Sequence, residues 1–241
     1  MKSISIIFTF FVSVVATDIV IAADPDHEID VRDVERQITQ RIDDYRGEHD
    51  LQPVETDKSL QTAAQNFAQF MAEESKYGHR ANGQTPAQRA KSAGYDYCVV
   101  RENIAYRTNT GDVTADSLVD VLVTGWIDSP PHRENILGEH VSQTGVGIAT
   151  TDGATFYAVQ MFARPRSASF QVSVLNKTSI TQTVTIDDSD TSDSVEIPPS
   201  TTLTMTRCVP VTLRLSEDDQ SRDVAQTIDL AITQDGFADR N

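Results

Sequence analysis

Apolar side chains at Ile29, Val31, Val34, Ile38, Ile42 and Tyr45 recur every three or four positions, the spacing that lines one face of an α-helix, and Gly47 ends the run. After a loop holding Pro53, Asp57 or Thr56 stands where a helix cap belongs. Leu60, Ala63, Ala64, Phe67, Phe70 and Met71 then repeat the helical spacing up to Tyr77-Gly78. Thr85-Pro86 ahead of AQRAKSA, with Gly94 behind it, predicts a short third helix with a cap, a first-turn proline and a terminating glycine. A fourth helix is predicted over 112–126, with Leu118, Val119, Leu122 and Trp126 on one face and Pro130-Pro131 as its stop. Beyond Gly138 the period shortens to two. Residues 144–149 and 155–162 read as strands joined around Asp152-Gly153, a pair suited to positive φ in a turn. Helices first and an antiparallel hairpin afterwards give an α+β fold.

Arg164-Pro165-Arg166 reads as a boundary. After it come SFQVSVLNKT, TQTVTIDD, SVEIPPSTTLTMTR, VPVTLRLSE and QTIDLAIT, alternating β-branched runs between acidic or proline-containing turns. They predict five or so strands and a small β-sandwich over 166–241. At the other end, Lys2, an apolar block over 4–16 and the small pair Ala22-Ala23 before Asp24 read as an export signal over 1–23. The alternative for that segment is an uncleaved membrane anchor. The expected organisation is therefore 1–23 signal, 24–165 α+β unit and 166–241 β unit.

The formal charge is −16 with a pI near 4.5, and the cations are fifteen arginines and five lysines. Such a surface repels nucleic acid, so no nucleic-acid partner is expected. Abundant Asp with scarce Lys suits a protein that works in strong salt, where its carboxylates are screened from one another. Cys98 and Cys208 either pair across the chain or stay as isolated thiols; neither has the spacing of a metal or redox motif. Asn176-Lys177-Thr178 is a glycosylation sequon, in keeping with export.

The five histidines are His27, His49, His79, His132 and His140. His79, in Tyr77-Gly78-His79-Arg80, and His132, behind a proline pair, each follow a helix, where rigid elements can hold a loop site. Gly78-His79, Glu102-Asn103-Ile104-Ala105, the segment Trp126 to Leu137 reading WIDSPPHRENIL, Gly145-Val146-Gly147 and Gln160-Met161-Phe162 follow one another in that order. This series resembles the CAP superfamily, specifically its prokaryotic SCP-like extracellular branch, over about Val31 to Pro165. The tetrapeptide RENI occurs twice, at 101–104 and 133–136. By the resemblance the copies are unrelated segments: Glu102 matches the family's cavity carboxylate and Glu134 a variable surface position.

The resemblance implies an α-β-α sandwich for 24–165 and a cleft in which His79, His132 and Glu102 converge. The family's second glutamate, three residues after the tryptophan, is Ser129 here. Asp128 stands one position earlier, on a different line of the helix, and Pro131 replaces the usual glycine before His132. Two imidazoles and a carboxylate suffice as the protein ligands of a divalent ion such as zinc, leaving a position open. Without a metal, Glu102 would orient one imidazole for acid–base work. Three functions follow. The first is an exported ligand-binding module whose cleft takes a metal, a lipid or a small apolar molecule. The second is a metal-assisted or acid–base hydrolase of peptidase type, with His79, Glu102 and His132 as its catalytic groups. The third is a cell-surface interaction protein with a vestigial cleft, making contact through its C-terminal module. No GxSxG or HExxH motif supplies a nucleophile or a metal helix.

Overall fold

The structure is a computed structural model that describes residues 29–109, 111, 113–188, 191–215 and 220–240. The expected export signal and His27 lie outside the described residues. Helix α1 (Val31–Gly47) starts at Asp30, whose carboxylate accepts from the amides of Arg32 and Asp33. Helix α2 (Lys58–Glu74) is capped in the same way by Asp57 and stops at Ser75, in left-handed conformation, short of the expected Tyr77-Gly78. Helix α3 (Pro86–Ser92) has the reciprocal cap of Thr85 and Gln88, and α4 (Ala115–Asp128) that of Thr114 and Ser117. The predicted start of α4 at Asp112 lies outside the described residues.

Strands β1 (Glu55–Thr56), β2 (Tyr97–Thr108), β3 (Gln143–Ala149) and β4 (Thr155–Pro165) form one sheet in the order β1-β3-β4-β2. Strand β2 and a short helix α5 (Pro130–Ile136) are absent from the reading of the sequence. The proline pair does end α4, but it also begins α5, because a first-turn residue needs no amide donor.

Helices α2 and α3 cover one face of the sheet around Phe67, Met71, Val159 and Met161. Helices α1, α4 and α5 cover the other around Ile38, Leu122, Trp126, Ile136 and Phe162. The α-β-α sandwich is thus as the resemblance implied. Gly145 and Gly147 explain how α2 seats on β3: a Cβ there would stand 2.2 Å from the Gln61 amide nitrogen and 2.3 Å from that of Gln65. Past β1, side chains cap the outer edge of β3. Gln61 accepts from the Val146 amide at 3.1 Å, while Glu35 and Gln65 accept from that of Ile148 at 3.1 and 3.2 Å. An edge occupied this way offers no template to another strand.

After Pro165 a single turn (Arg166–Ala168) leads into β5 (Phe170–Asn176), β6 (Gln182–Asp187), β7 (Ser192–Ile197), β8 (Thr202–Arg207), β9 (Val211–Leu215), β10 (Ser221–Val224), β11 (Ile228–Thr233) and β12 (Gly236–Asp239). Two four-stranded sheets, β10-β9-β6-β7 and β12-β11-β5-β8, share a core of Val172, Val174 and Leu230 against Val184, Ile186 and Leu213. The C-terminal region is all-β as expected, with eight strands among the described residues rather than about five. Pro198-Pro199 splits one predicted run into β7 and β8, and β10 and β12 are short edge strands.

Cys98 and Cys208 are bonded, with Cα atoms 5.4 Å apart, and tie β2 to the turn between β8 and β9. The sequon takes a structural role instead. Asn176 is fully buried, donating to the carbonyls of Ile180 and Ile197 and accepting from the amide and hydroxyl of Thr178. No glycan can reach an amide so enclosed in the folded chain.

Candidate functional site

The site is built on β2, the edge strand opposite β1. Its odd-numbered residues bond across to β4, as the Asn109 amide continues to do with the Ala154 carbonyl at 3.0 Å. Even-numbered backbone groups face outward, and neighbouring side chains meet them. The Ile104 carbonyl accepts from the Tyr77 hydroxyl at 3.0 Å and the Trp126 indole at 3.2 Å, and the Glu102 carbonyl accepts from the Asn135 amide at 3.1 Å. These bonds draw the end of α2, the end of α4 and all of α5 around the strand.

Glu102 lies within this frame with a fully buried carboxylate. One oxygen accepts from Nδ1 of His79 at 2.8 Å, and the other from the Arg89 guanidinium at 2.5 Å. Arg89 is buried as well. It stacks on Phe67 with its Cζ 3.5 Å from the ring centre, and donates to the carbonyls of His79 and Gln84. One cation therefore neutralises the carboxylate and fixes the loop that carries His79, whose side chain stays half exposed. The chain of contacts runs Arg89, Glu102, His79, and leaves Nε2 of the ring for the exterior.

His132 is pinned separately. Pro130 and Pro131 have no amide hydrogen, so the Ser129 hydroxyl at the N-cap finds little backbone to bond and turns to Nδ1 of His132 at 2.9 Å. The His132 carbonyl accepts from the Asn103 side chain at 3.0 Å, and Oδ1 of Asn103 accepts from the Asn135 side chain at 2.9 Å. The two RENI copies thus meet through their asparagines. Arg46, buried at the end of α1, donates to the carbonyls of Ile136 and Gly138 and holds the far end of α5. Burial, and then the charge of His79, lower the pKa of His132 below the usual imidazole range.

Both His132 and Ser129 line a cleft of about 290 Å³ walled by Tyr77, Ile104, Tyr106 and Trp126. Tyr77 and Tyr106 meet edge to face with ring centres 5.0 Å apart, and about half of each is exposed. The volume is at the small end for ligand pockets and suits an aromatic ring or a short alkyl chain.

Of the residues expected to converge, His79 and Glu102 are bonded to each other, while His132 is bonded to Ser129 and lines the cleft, whose walls include neither His79 nor Glu102. Glu102, expected as a metal ligand or a catalytic group, is fully buried, with one oxygen bonded to His79 and the other to Arg89. Among the described residues no three His, Cys, Asp or Glu side chains are grouped to hold a metal ion. Asp128 is exposed at the end of α4 and joins nothing in the site. His49, in the turn just after α1, bonds the Tyr45 carbonyl and lies outside the site.

The Ser129–His132 bond does not build a hydrolytic relay. In such a relay the serine sits on Nε2 and an acid holds Nδ1, whereas here the serine occupies Nδ1. Arg89 and Arg46 were missed in the sequence. Their signal was an arginine on the apolar side of an amphipathic helix, Arg89 beside Ala90 and Arg46 in step with Ile42.

Comparisons with known proteins agree with this architecture. The family model described as CAP, cysteine-rich secretory protein family, matches residues 39–162. An uncharacterised protein of Borreliella burgdorferi is 26% identical over 160 residues, covering 66% of this chain and 94% of that one. The Bacillus subtilis protein YkwD is 28% identical over 114 residues, 47% of this chain and 41% of its own length. Among solved structures, an outer surface protein from Borrelia burgdorferi superposes with a TM-score of 0.51 at 22% identity, covering 58% of this chain and 98% of that one. With the matched segment spanning α1 through β4, both site segments included, the chain belongs to the CAP, or cysteine-rich secretory protein, family.

Proposed function

We propose that this CAP protein acts outside the cell as a ligand-binding module, and that its cleft takes a small molecule with an apolar body whose polar end meets His79 and His132. The observation that carries the reading is that His132, held through Nδ1 by Ser129, lines an aromatic-walled cleft, and that His79, held through Nδ1 by Glu102, follows the cleft residue Tyr77 by two positions. Rings fixed in this way keep Nε2 for a visitor, as donor or acceptor according to tautomer. An extracellular setting is supported by the disulfide, which persists in oxidising compartments. Among the described residues no helix is long and apolar enough to cross a membrane.

A divalent ion such as zinc is the second reading. His79 and His132 would hold it through Nε2, with Glu102 orienting His79 from behind, the role carboxylates take toward metal-bound imidazoles. The ion would act as a Lewis acid toward a bound polar group. Two protein nitrogens without a third ligand make a weak site, so zinc affinity far below that of three-ligand centres is expected.

Trp126 is the sole tryptophan of the chain and lines the cleft, so its emission reports occupancy directly. Titration of the full chain with indole-free aromatic alcohols, octanol and zinc chloride should give saturable, one-to-one changes. Gly125 also lines the cleft, and a Cβ there meets nothing within 4 Å, so Gly125→Leu fills the space without strain in the fold. That variant should lose the organic ligands, and His132→Ala should lose both classes. Equal titrations of the wild type and Gly125→Leu would remove the cleft from the account.

A further inference from the structure

A second cavity, of about 460 Å³, lies where the two parts of the chain meet. Arg101 and Arg133, the arginines of the two RENI copies, both line it, one from β2 and the other from α5. His140 adds a third nitrogen-bearing side chain. Val99, Leu137 and Val141 supply apolar walls from the CAP domain, and Val209 closes the cavity from the turn between β8 and β9. Val99 and Val209 each directly follow a cysteine of the Cys98–Cys208 bond. The disulfide therefore holds the Val209 wall in place, and the cavity is incomplete without the C-terminal region.

Arg133 donates to the Ile127 carbonyl at 3.3 Å, and among the described residues no ion pair within 4.0 Å engages either guanidinium. Glu134 and Glu139 line the same cavity, also without such a pair among the described residues. The two carboxylates oppose a doubly charged visitor, while two planar guanidiniums suit a carboxylate in particular.

We infer that this seam cavity binds a small monocarboxylate with a short apolar body, its carboxylate between Arg101 and Arg133 and its body against Val99, Leu137 and Val209. The site is separate from the histidine cleft, and its failure would leave that reading untouched. The carboxylate can belong to a free acid or to the C-terminus of a peptide; both present the same group.

Calorimetric titration of the full, oxidised chain with hexanoate, hexanol, hexyl phosphate and acetyl-Ala-Leu tests it. The expected result is one-to-one binding of hexanoate or of the acetylated dipeptide, the tighter of the two identifying the source, with hexanol and hexyl phosphate at least about tenfold weaker. Arg101→Gln should weaken the carboxylate by about tenfold or more, the weight of a charged hydrogen bond. Val209→Trp fills the cavity from the surface of a turn and should abolish binding while Trp126-cleft ligands still bind the same chain. Hexanol binding as tightly as hexanoate, hexyl phosphate binding more tightly, or full affinity in Arg101→Gln with the fold intact would each overturn the inference.

Discussion

The two RENI segments share four residues and almost nothing else. At 101–104 the tetrapeptide is part of a strand, and alternate side chains go to opposite faces: Arg101 and Asn103 toward α5, Glu102 and Ile104 toward α2 and α3. At 133–136 it is a turn of helix that buries Ile136, exposes Glu134 and aims Asn135 back at the strand. Local propensity is too weak to decide between these outcomes, and the flanks decide them. A proline pair starts the helix, and pairing with β4 extends the strand. The same glutamate is consequently a buried, arginine-paired group in one copy and a surface carboxylate in the other.

The sharpest break of this comparison is Glu102→Ala. It strands the buried Arg89 charge and releases His79, and should cost about 3–5 kcal/mol in urea unfolding. Next come the asparagines. Asn103→Ala and Asn135→Ala should each cost about 1–3 kcal/mol, because each leaves buried polar groups without partners. Their double variant should lose less than the sum, since the two amides bond each other; strict additivity would mean that the copies do not communicate.

A smaller effect concerns pH. His132 has a lowered pKa in the folded chain, so below the usual imidazole range the unfolded chain binds more protons and acid weakens the fold. The loss begins as pH falls through about 6.5 and saturates below the folded value. Comparing unfolding midpoints with His132→Gln, which lacks the titrating group, should show a shallower fall for the variant. At the bottom of the scale, Glu134→Ala should change stability by no more than about 0.5 kcal/mol.

The same contrast explains what the sequence disclosed. Helices α1 to α4 were legible because caps and apolar spacing agree, Asp57 before Leu60 and Thr85-Pro86 before Ala90 being typical. Strand β2 was not. Its buried positions include Glu102 and Asn103, so the alternation of apolar and polar residues that marks a strand is erased where the site is built. Helix α5 was hidden because Pro130-Pro131 signals an end and a beginning with the same letters. His79, His132 and Glu102 came from an ordered series of motifs, but the hierarchy among them did not. That depends on Arg89, whose pairing with Glu102 joins a helix to a strand and leaves no local mark. The buried sequon teaches the same point, since a motif carries no information on its own accessibility.

Residue-resolved NMR titration of the histidine rings tests the central claim most directly, the claim being that His79 and His132 share one site. His132 should titrate below the ordinary imidazole value in the native chain, and its pKa should rise in His79→Gln, where the neighbouring charge is gone. A His132 titration that is identical with and without His79 would show that the two rings do not face a common space, and the account would fail at its centre.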